Sequence, residues 1–321
     1  MNAEPLAFNQ AELEQLIKAH WGPQAGIDHM NAPLPWPDLL TRHRLRIPEW
    51  PVAFGGRGWS RHHACRWWAL CSAFHCPIPD SLETSLVGPI LLLSPTPGHF
   101  DRHLNAIAAN EAQWVIQRYL PGQVEPMTIG TLDNAQWLMT IREAAPDQLI
   151  INIRSNTDPH QDTRVMECKL DDLIQQLNHR YPSLPMVWRN SAMIVNLKQT
   201  LDFMPNPESE LKAAIDQLEI RQRAVEVWSL RASESNRASL GPIIKTAAKL
   251  QTQGFRLGLT LQGNYAITSA SPPGQNEQSA ISSMPPNPLS ILDPLALFDE
   301  DSGSQAPRTE ANLSIHPVGQ S

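Results

Sequence analysis

The segment LIINIR, residues Leu149–Arg154, is the clearest strand signal in this chain of 321 residues. It is short and rich in isoleucine, a β-branched residue that favours extended backbone. It is followed by Leu170–Tyr181, in which leucine and isoleucine recur at the spacing of a helix face. A strand followed by a helix of this length is typical of α/β proteins.

The same alternation extends to both sides of LIINIR. We predict strands at residues 87–94, 124–129, 186–197, 225–230 and 255–261, and helices at 9–19, 62–74, 101–120, 132–144, 209–223 and 240–253. Strands that alternate with helices usually pair in parallel through right-handed crossovers. We therefore expect an α/β fold with a three-layer, mainly parallel sheet and flanking helices.

Composition divides the chain into three regions. Residues 1–84 are rich in tryptophan, arginine and proline, residues 85–270 have an ordinary globular composition, and residues 271–321 consist largely of Pro, Ser, Asn, Gln and Gly. The last region has too few apolar residues to offset the entropy cost of ordering. We expect an N-terminal Trp/Pro-rich segment, one α/β domain and a disordered tail.

The net charge of −7 belongs mostly to that tail. Residues 271–321 contain six acids and one base, which leaves a net charge of −2 for residues 1–270. A nearly neutral body excludes a bulk polyanion binder, so any nucleic-acid site must be local. Four unevenly spaced cysteines exclude a disulfide-stapled scaffold. No signal segment or long apolar run is recognisable, and we expect a cytoplasmic protein.

An apolar peptide interrupts the polar tail, where residues 288–301 read PLSILDPLALFDED. A short apolar segment in such surroundings is typical of a peptide that orders in a partner's groove. Residues 294–298 (PLALF) resemble the bacterial sliding-clamp-binding peptide, with proline in place of that motif's glutamine. The resemblance implies that Leu295, Leu297 and Phe298 bind the clamp. Docking on another protein surface is the alternative.

Residues 41–68 combine six arginines with four tryptophans and contain one acid. Arginine neutralises phosphates and indole rings stack on unpaired bases, which suits single-stranded or junction nucleic acid. The candidate nucleic-acid-binding residues are Arg44, Arg57, Arg61, Trp59 and Trp67. In the alternative interpretation, the tryptophans are core residues and the arginines coat or stack on them.

Four potential metal ligands, Cys65, Cys71, His75 and Cys76, lie close together in the same part of the chain. Thiolate and imidazole are zinc ligands, but this spacing is unlike that of a zinc knuckle and no second cysteine pair lies nearby. We therefore predict buried, reduced cysteines and no metal.

Three charged residues flank the LIINIR strand: Asp147 precedes it, and Glu167 and Lys169 follow it. They resemble the Pro-Asp…(Asp/Glu)-x-Lys motif of the restriction-endonuclease-like nucleases. The resemblance implies that the two carboxylates hold Mg²⁺ and that the lysine positions the attacking water, with residues 149–154 and 164–169 forming a hairpin. In the alternative, which the strand–helix alternation favours, the second segment is part of a helix and its charges are solvated.

Taken together, these patterns favour a non-enzymatic accessory protein of DNA replication, repair or recombination that docks on a partner through residues 288–301. No cofactor is expected. The alternatives are a Mg²⁺-dependent nuclease and a scaffold protein unrelated to nucleic acid.

Overall fold

The structure, a computed structural model, describes residues 4–268 apart from 22–33, 80, 121, 123–124, 146, 157–162, 183, 205–208 and 236–239. Its α-helices in these ranges are α1 (Gln10–His20), α2 (Trp36–Arg42), α3 (Arg61–Ala73), α4 (Gly88–Leu93), α5 (Asp101–Ala108), α6 (Leu170–Arg180), α7 (Leu184–Asp202), α8 (Ser209–Ser233) and α9 (Gly241–Thr268). Its strands are β1 (Trp114–Tyr119), β2 (Met127–Ile129), β3 (Trp137–Ala145), β4 (Gln148–Ser155) and β5 (Thr163–Lys169).

The five strands form one mixed sheet in the order β2-β1-β3-β4-β5. Strands β1 and β3 are parallel, whereas β1–β2, β3–β4 and β4–β5 are antiparallel. The prediction of an α/β protein with flanking helices is confirmed. The prediction of a three-layer, mainly parallel sheet is wrong, because the chain turns back directly between β3, β4 and β5 instead of crossing over through helices.

One hydrophobic core lies between one face of this sheet and helices α4, α5 and α6. The strands contribute alternate side chains to it, as expected when one face of a sheet is buried. LIINIR supplies Leu149, Ile151 and Ile153, each at most 2% exposed. Its remaining side chains therefore point to the opposite face of the sheet.

A second core, which we call the helical core, contains no residue of the described strands, and in it α1, α2 and α3 pack with α7, α8 and α9. The two ends of the described chain thus share one helical core, and the sheet region lies between them in sequence. Helix α8 also buries polar residues here: the Gln222 amide donates to the Val187 carbonyl and to Glu226, and Ser191 donates to Glu226. Among the described residues, none of the helices has the combination of length and hydrophobicity that spanning a bilayer requires.

Several predicted elements have the opposite secondary structure. Residues 87–94, 186–197, 225–230 and 255–261 were expected as strands but lie mainly in α4, α7, α8 and α9, and much of 132–144 is strand β3 rather than helix. A short apolar run has no period of its own, so it fits a buried helix and a buried strand equally well. The helical core decides residues 186–197, 225–230 and 255–261, because α7, α8 and α9 contribute apolar residues to it.

Candidate functional site

The face of the sheet opposite helices α4–α6 carries a row of polar side chains, which we call the polar row. One residue of each strand lies in register with its neighbour, so the five side chains point to the same side. From edge to edge the polar row is Thr128, Gln117, Thr140, Asn152 and Arg164.

Local sequence explains why the polar row faces away from the core. In β1 and β3 the alternate residues Ile116, Met139 and Ile141 are buried against the helices, which directs the residues between them outward. In β5 a register irregularity allows the consecutive residues Val165 and Met166 both to enter the core. Such a bulge re-aims side chains and keeps Arg164 and Glu167 on the polar side.

The centre of the polar row is a buried hydroxyl without a partner. Thr140 is 3% exposed, and its Oγ1 makes no hydrogen bond in the structure. Gln117 of β1 and Asn152 of β4 are its neighbours in register, and both are partly exposed. Because leaving a buried hydroxyl unpaired costs about 1–3 kcal/mol, this atom marks a place where a ligand would gain a hydrogen bond.

The same face is positively charged. Strand alternation places Arg142, Arg154 and Arg164 on it, and its acid, Glu167, pairs with Arg164 at 3.4 Å. The Arg142 guanidinium lies 4.7 Å from the centre of the Tyr119 ring, which limits its orientations. Cations, side-chain amides and an unpaired hydroxyl together suit a polar, anionic ligand that lies along the sheet.

A small polar cavity beside the core between the sheet and helices α4–α6 is lined by Arg46, Glu49 and Tyr181. Its volume is about 10 Å³, which is room for one water molecule. Burial raises the pKa of the Glu49 carboxyl to about 7, and burial likewise raises the pKa of the Tyr181 hydroxyl. The cavity is too small for an organic substrate.

The predicted nuclease residues, Asp147, Glu167 and Lys169, lie close to one another on the β4–β5 hairpin. Strands β4 and β5 do form the predicted antiparallel hairpin, with Gln148 opposite Lys169. However, Asp147 sits in the turn before β4 at φ 64°, and Glu167 accepts a hydrogen bond from Gln148. Within the described ranges, no group of three His, Cys, Asp or Glu side chains could hold an ion.

The two tryptophans predicted to bind nucleic acid lie in the helical core. Trp67 is 0% and Trp59 4% exposed, so neither ring is available to stack on a base. Their indole nitrogens donate to the carbonyls of Leu45 and Leu6, at 3.1 and 2.7 Å. These contacts follow the structural alternative, in which the tryptophans are core residues.

The three arginines predicted to bind nucleic acid contact the protein's own main chain. Arg44 donates to the Val52 carbonyl, Arg57 to the His43 carbonyl and Arg61 to the His179 carbonyl. The Arg57 guanidinium also lies 4.7 Å from the centre of the Trp59 ring. All three side chains therefore form hydrogen bonds that connect parts of the folded chain to one another.

Cys65, Cys71 and Cys76 are buried free thiols. Burial raises the pKa of the Cys65 thiol to about 12, so it is neutral at physiological pH and is not poised as a thiolate ligand. The partner-binding residues Leu295, Leu297 and Phe298 lie outside the described residues, and their docking role stays a prediction.

No protein-family profile matches this chain, and no curated protein matches its sequence. Solved structures do match its fold. The steroid ACAD Tcur3481-Tcur3483 is 14% identical, covers 94% of each chain and has a TM-score of 0.53. The prolyl acyl carrier protein oxidase AnaB is 9% identical, covers 81% of this chain and 90% of its own, and has a TM-score of 0.51.

A third match is the FAD complex of PigA, which is 8% identical over 90% of this chain and 94% of its own, with a TM-score of 0.50. At such low identity these likenesses show the fold alone, which resembles that of the acyl-CoA dehydrogenases.

These likenesses correct two expectations. The prediction of a non-enzymatic accessory protein of DNA replication, repair or recombination is contradicted, because the chain shares its fold with flavoenzymes of the acyl-CoA dehydrogenase type. The expectation of no cofactor is contradicted as well, because the PigA structure is an FAD complex. The sequence analysis did not predict the polar row. The signal for it in the sequence was the alternation in LIINIR, where Asn152 and Arg154 lie on either side of Ile153.

Proposed function

We propose that this chain is an FAD-dependent oxidoreductase whose cofactor binds along the polar face of the sheet. The observation that carries the proposal is the buried, unpaired Oγ1 of Thr140 at the centre of the polar row. We expect a hydroxyl in this position to hydrogen-bond a bound group. Without such a partner, burial costs the hydroxyl its hydrogen bonds to water and no protein contact replaces them.

The residues of this face fit the chemistry of FAD. The pyrophosphate is an anion, and Arg142 and Arg154 supply cations on the same side of the sheet. The flavin ring carries donors and acceptors along its polar edge, and the side-chain amides of Gln117 and Asn152 can match both kinds of group. Thr140 lies between these two amides in register.

FAD, when bound, supplies a two-electron acceptor, and this chain's own residues bind and orient it. The solved structures of this fold include a steroid ACAD and an acyl carrier protein oxidase, which supports an acyl thioester as the substrate class. We therefore propose oxidation of an acyl group carried as a thioester.

We expect purified protein to bind FAD, and Thr140→Val to weaken that binding by about 5- to 10-fold, because one buried hydrogen bond is lost. FAD titration followed by quenching of flavin fluorescence measures the effect. Thr163→Val is the matched control, since Thr163 is exposed and lies on a row that faces the other side of the sheet.

The stability of the FAD-free protein separates a ligand contact from a structural role. Thr140→Val replaces an unpaired buried hydroxyl by a methyl group of similar shape, so the FAD-free variant should be at least as stable as the parent. Loss of stability with unchanged FAD affinity would contradict the assignment of Thr140. Absence of FAD binding by the parent protein would end the proposal.

A further inference from the structure

Helix α3 ends in a tight turn that brings two cysteines side by side. The Cys76 N–H donates to the Cys71 carbonyl at 2.9 Å, and the His75 N–H donates to the Ser72 carbonyl at 3.1 Å. His75 itself lies in the left-handed region, at φ 54°. These features define a Schellman motif, in which the side chains of the first and last residue of the turn frequently contact each other. Here both of those side chains are thiols.

The two thiols of this turn are buried and in contact. Cys71 and Cys76 are each 1% exposed and belong to the helical core. A hydrogen bond connects the two thiol groups. Burial, together with this hydrogen bond, raises the pKa of the Cys71 thiol well above its ordinary value, so Cys71 is a neutral thiol at physiological pH.

We propose that Cys71 and Cys76 are a redox pair that forms an intrachain disulfide by exchange with a small-molecule disulfide such as oxidised glutathione. A disulfide requires two Cα atoms within about 7 Å of each other. The main chains of Cys71 and Cys76 are linked directly by a hydrogen bond of 2.9 Å, which keeps their Cα atoms within that distance. The bond can therefore form without unfolding α3.

The exchange has two steps, in which atoms and electrons balance. The thiolate of one cysteine attacks a sulfur of oxidised glutathione, which breaks that S–S bond and releases one glutathione, whose thiolate takes up the proton that the cysteine lost. The second cysteine then loses its proton and attacks the sulfur of the first, which forms the Cys71–Cys76 bond and releases the second glutathione. Two protein thiols are oxidised, and one glutathione disulfide is reduced to two thiols.

The place of the pair in the fold gives the reagent access to it. Cys76 follows the end of α3, and Ala73, His75 and Pro77 around it are exposed. Local opening of a helix end costs much less free energy than global unfolding, so opening of this turn exposes the thiols. The high pKa of the Cys71 thiol makes the exchange slow, but it also favours the disulfide at equilibrium, because no thiolate stabilises the reduced form.

The disulfide would strengthen a junction between the N-terminal helices. The Trp21 indole, directly after α1, donates to the His75 carbonyl at 3.2 Å, and the Trp36 indole, in α2, donates to the Pro77 carbonyl at 2.8 Å. Both acceptors belong to the segment that the disulfide ties to α3. The redox state of the pair therefore sets how firmly α1 and α2 are held against α3.

The test equilibrates the reduced, full-length protein overnight with oxidised glutathione under native conditions. We expect the number of free thiols to fall from four to two. After the remaining thiols are blocked, chymotryptic cleavage after Phe74 should give two peptides that stay joined until a reductant is added, because that bond lies between the two cysteines. The melting temperature should rise by about 4–8 °C on oxidation, since the disulfide restricts the unfolded chain.

Cys71→Ala should abolish both the joined peptides and the rise in melting temperature. Cys168→Ala is the matched control: Cys168 is a partly exposed thiol in β5, where it lies 3.8 Å from the Met166 sulfur, and its loss should leave both results unchanged. The peptide result on the parent protein decides the proposal even if a variant folds poorly. Four free thiols after equilibration, a mixed disulfide with glutathione that persists, or peptides joined through Cys65 or Cys168 would each overturn it.

Discussion

Replacement of Trp50 by alanine is expected to lower the free energy of unfolding by about 3–5 kcal/mol, which is a large part of the stability of an ordinary domain. Trp50 is 1% exposed and belongs to the core between the sheet and helices α4–α6. A Cβ built on Gly88 would lie 2.0 Å from its ring, which shows that the indole fits directly against the α4 backbone.

Urea denaturation of the parent and the Trp50→Ala variant measures this loss. Phe203→Ala is the control, because it removes an aromatic ring that is 84% exposed and should change the free energy of unfolding by less than about 0.5 kcal/mol. A Trp50→Ala loss of only about 1 kcal/mol would mean that the core collapses into the vacated space, contrary to the rigid contact with Gly88.

Glu49→Gln is expected to stabilise the protein by up to about 3 kcal/mol above pH 7, and to have little effect near pH 4.5. Burial raises the pKa of Glu49 from 4.5 to about 7 in the folded protein. The folded state therefore keeps a proton that the unfolded state releases, and the parent protein loses stability as pH rises through this window. Glutamine stays neutral, so the variant avoids that loss.

Urea denaturation at several pH values between about 4 and 8 tests the sign as well as the size. Glu111→Gln is the control, since Glu111 is an exposed acid before β1 and should leave the pH profile unchanged. A stability difference between parent and Glu49→Gln that is constant across this range would show that Glu49 does not titrate there in the folded protein.

Elements with a strong local period could be predicted from the sequence. The LIINIR strand, the helix after it and the helices near residues 9–19 and 62–74 are all present in the structure. The prediction failed where a segment lacked such a period. Residues 225–230 (VEVWSL) alternate like a strand but continue α8, because Val225 enters the helical core whereas Val227 and Trp228 stay exposed.

The polar row was harder to find, because its five residues are spread over sequence positions 117–164 and only register brings them into line. Each residue alone resembles an ordinary polar position on a strand. The arginines and tryptophans of residues 41–68 were conspicuous in sequence, yet the structure uses them for packing and for hydrogen bonds to the main chain. Local density of a residue type was therefore a poor guide to the site.

Local sequence was enough to identify LIINIR as a strand and to separate Leu149, Ile151 and Ile153 on one face from Asn152 and Arg154 on the other, since side-chain alternation is a local property of the backbone. Only the tertiary structure decided which strands pair and in which direction, and that the two ends of the described chain share one helical core. Such contacts join residues far apart in sequence, and their energies depend on complementary surfaces that no local pattern contains.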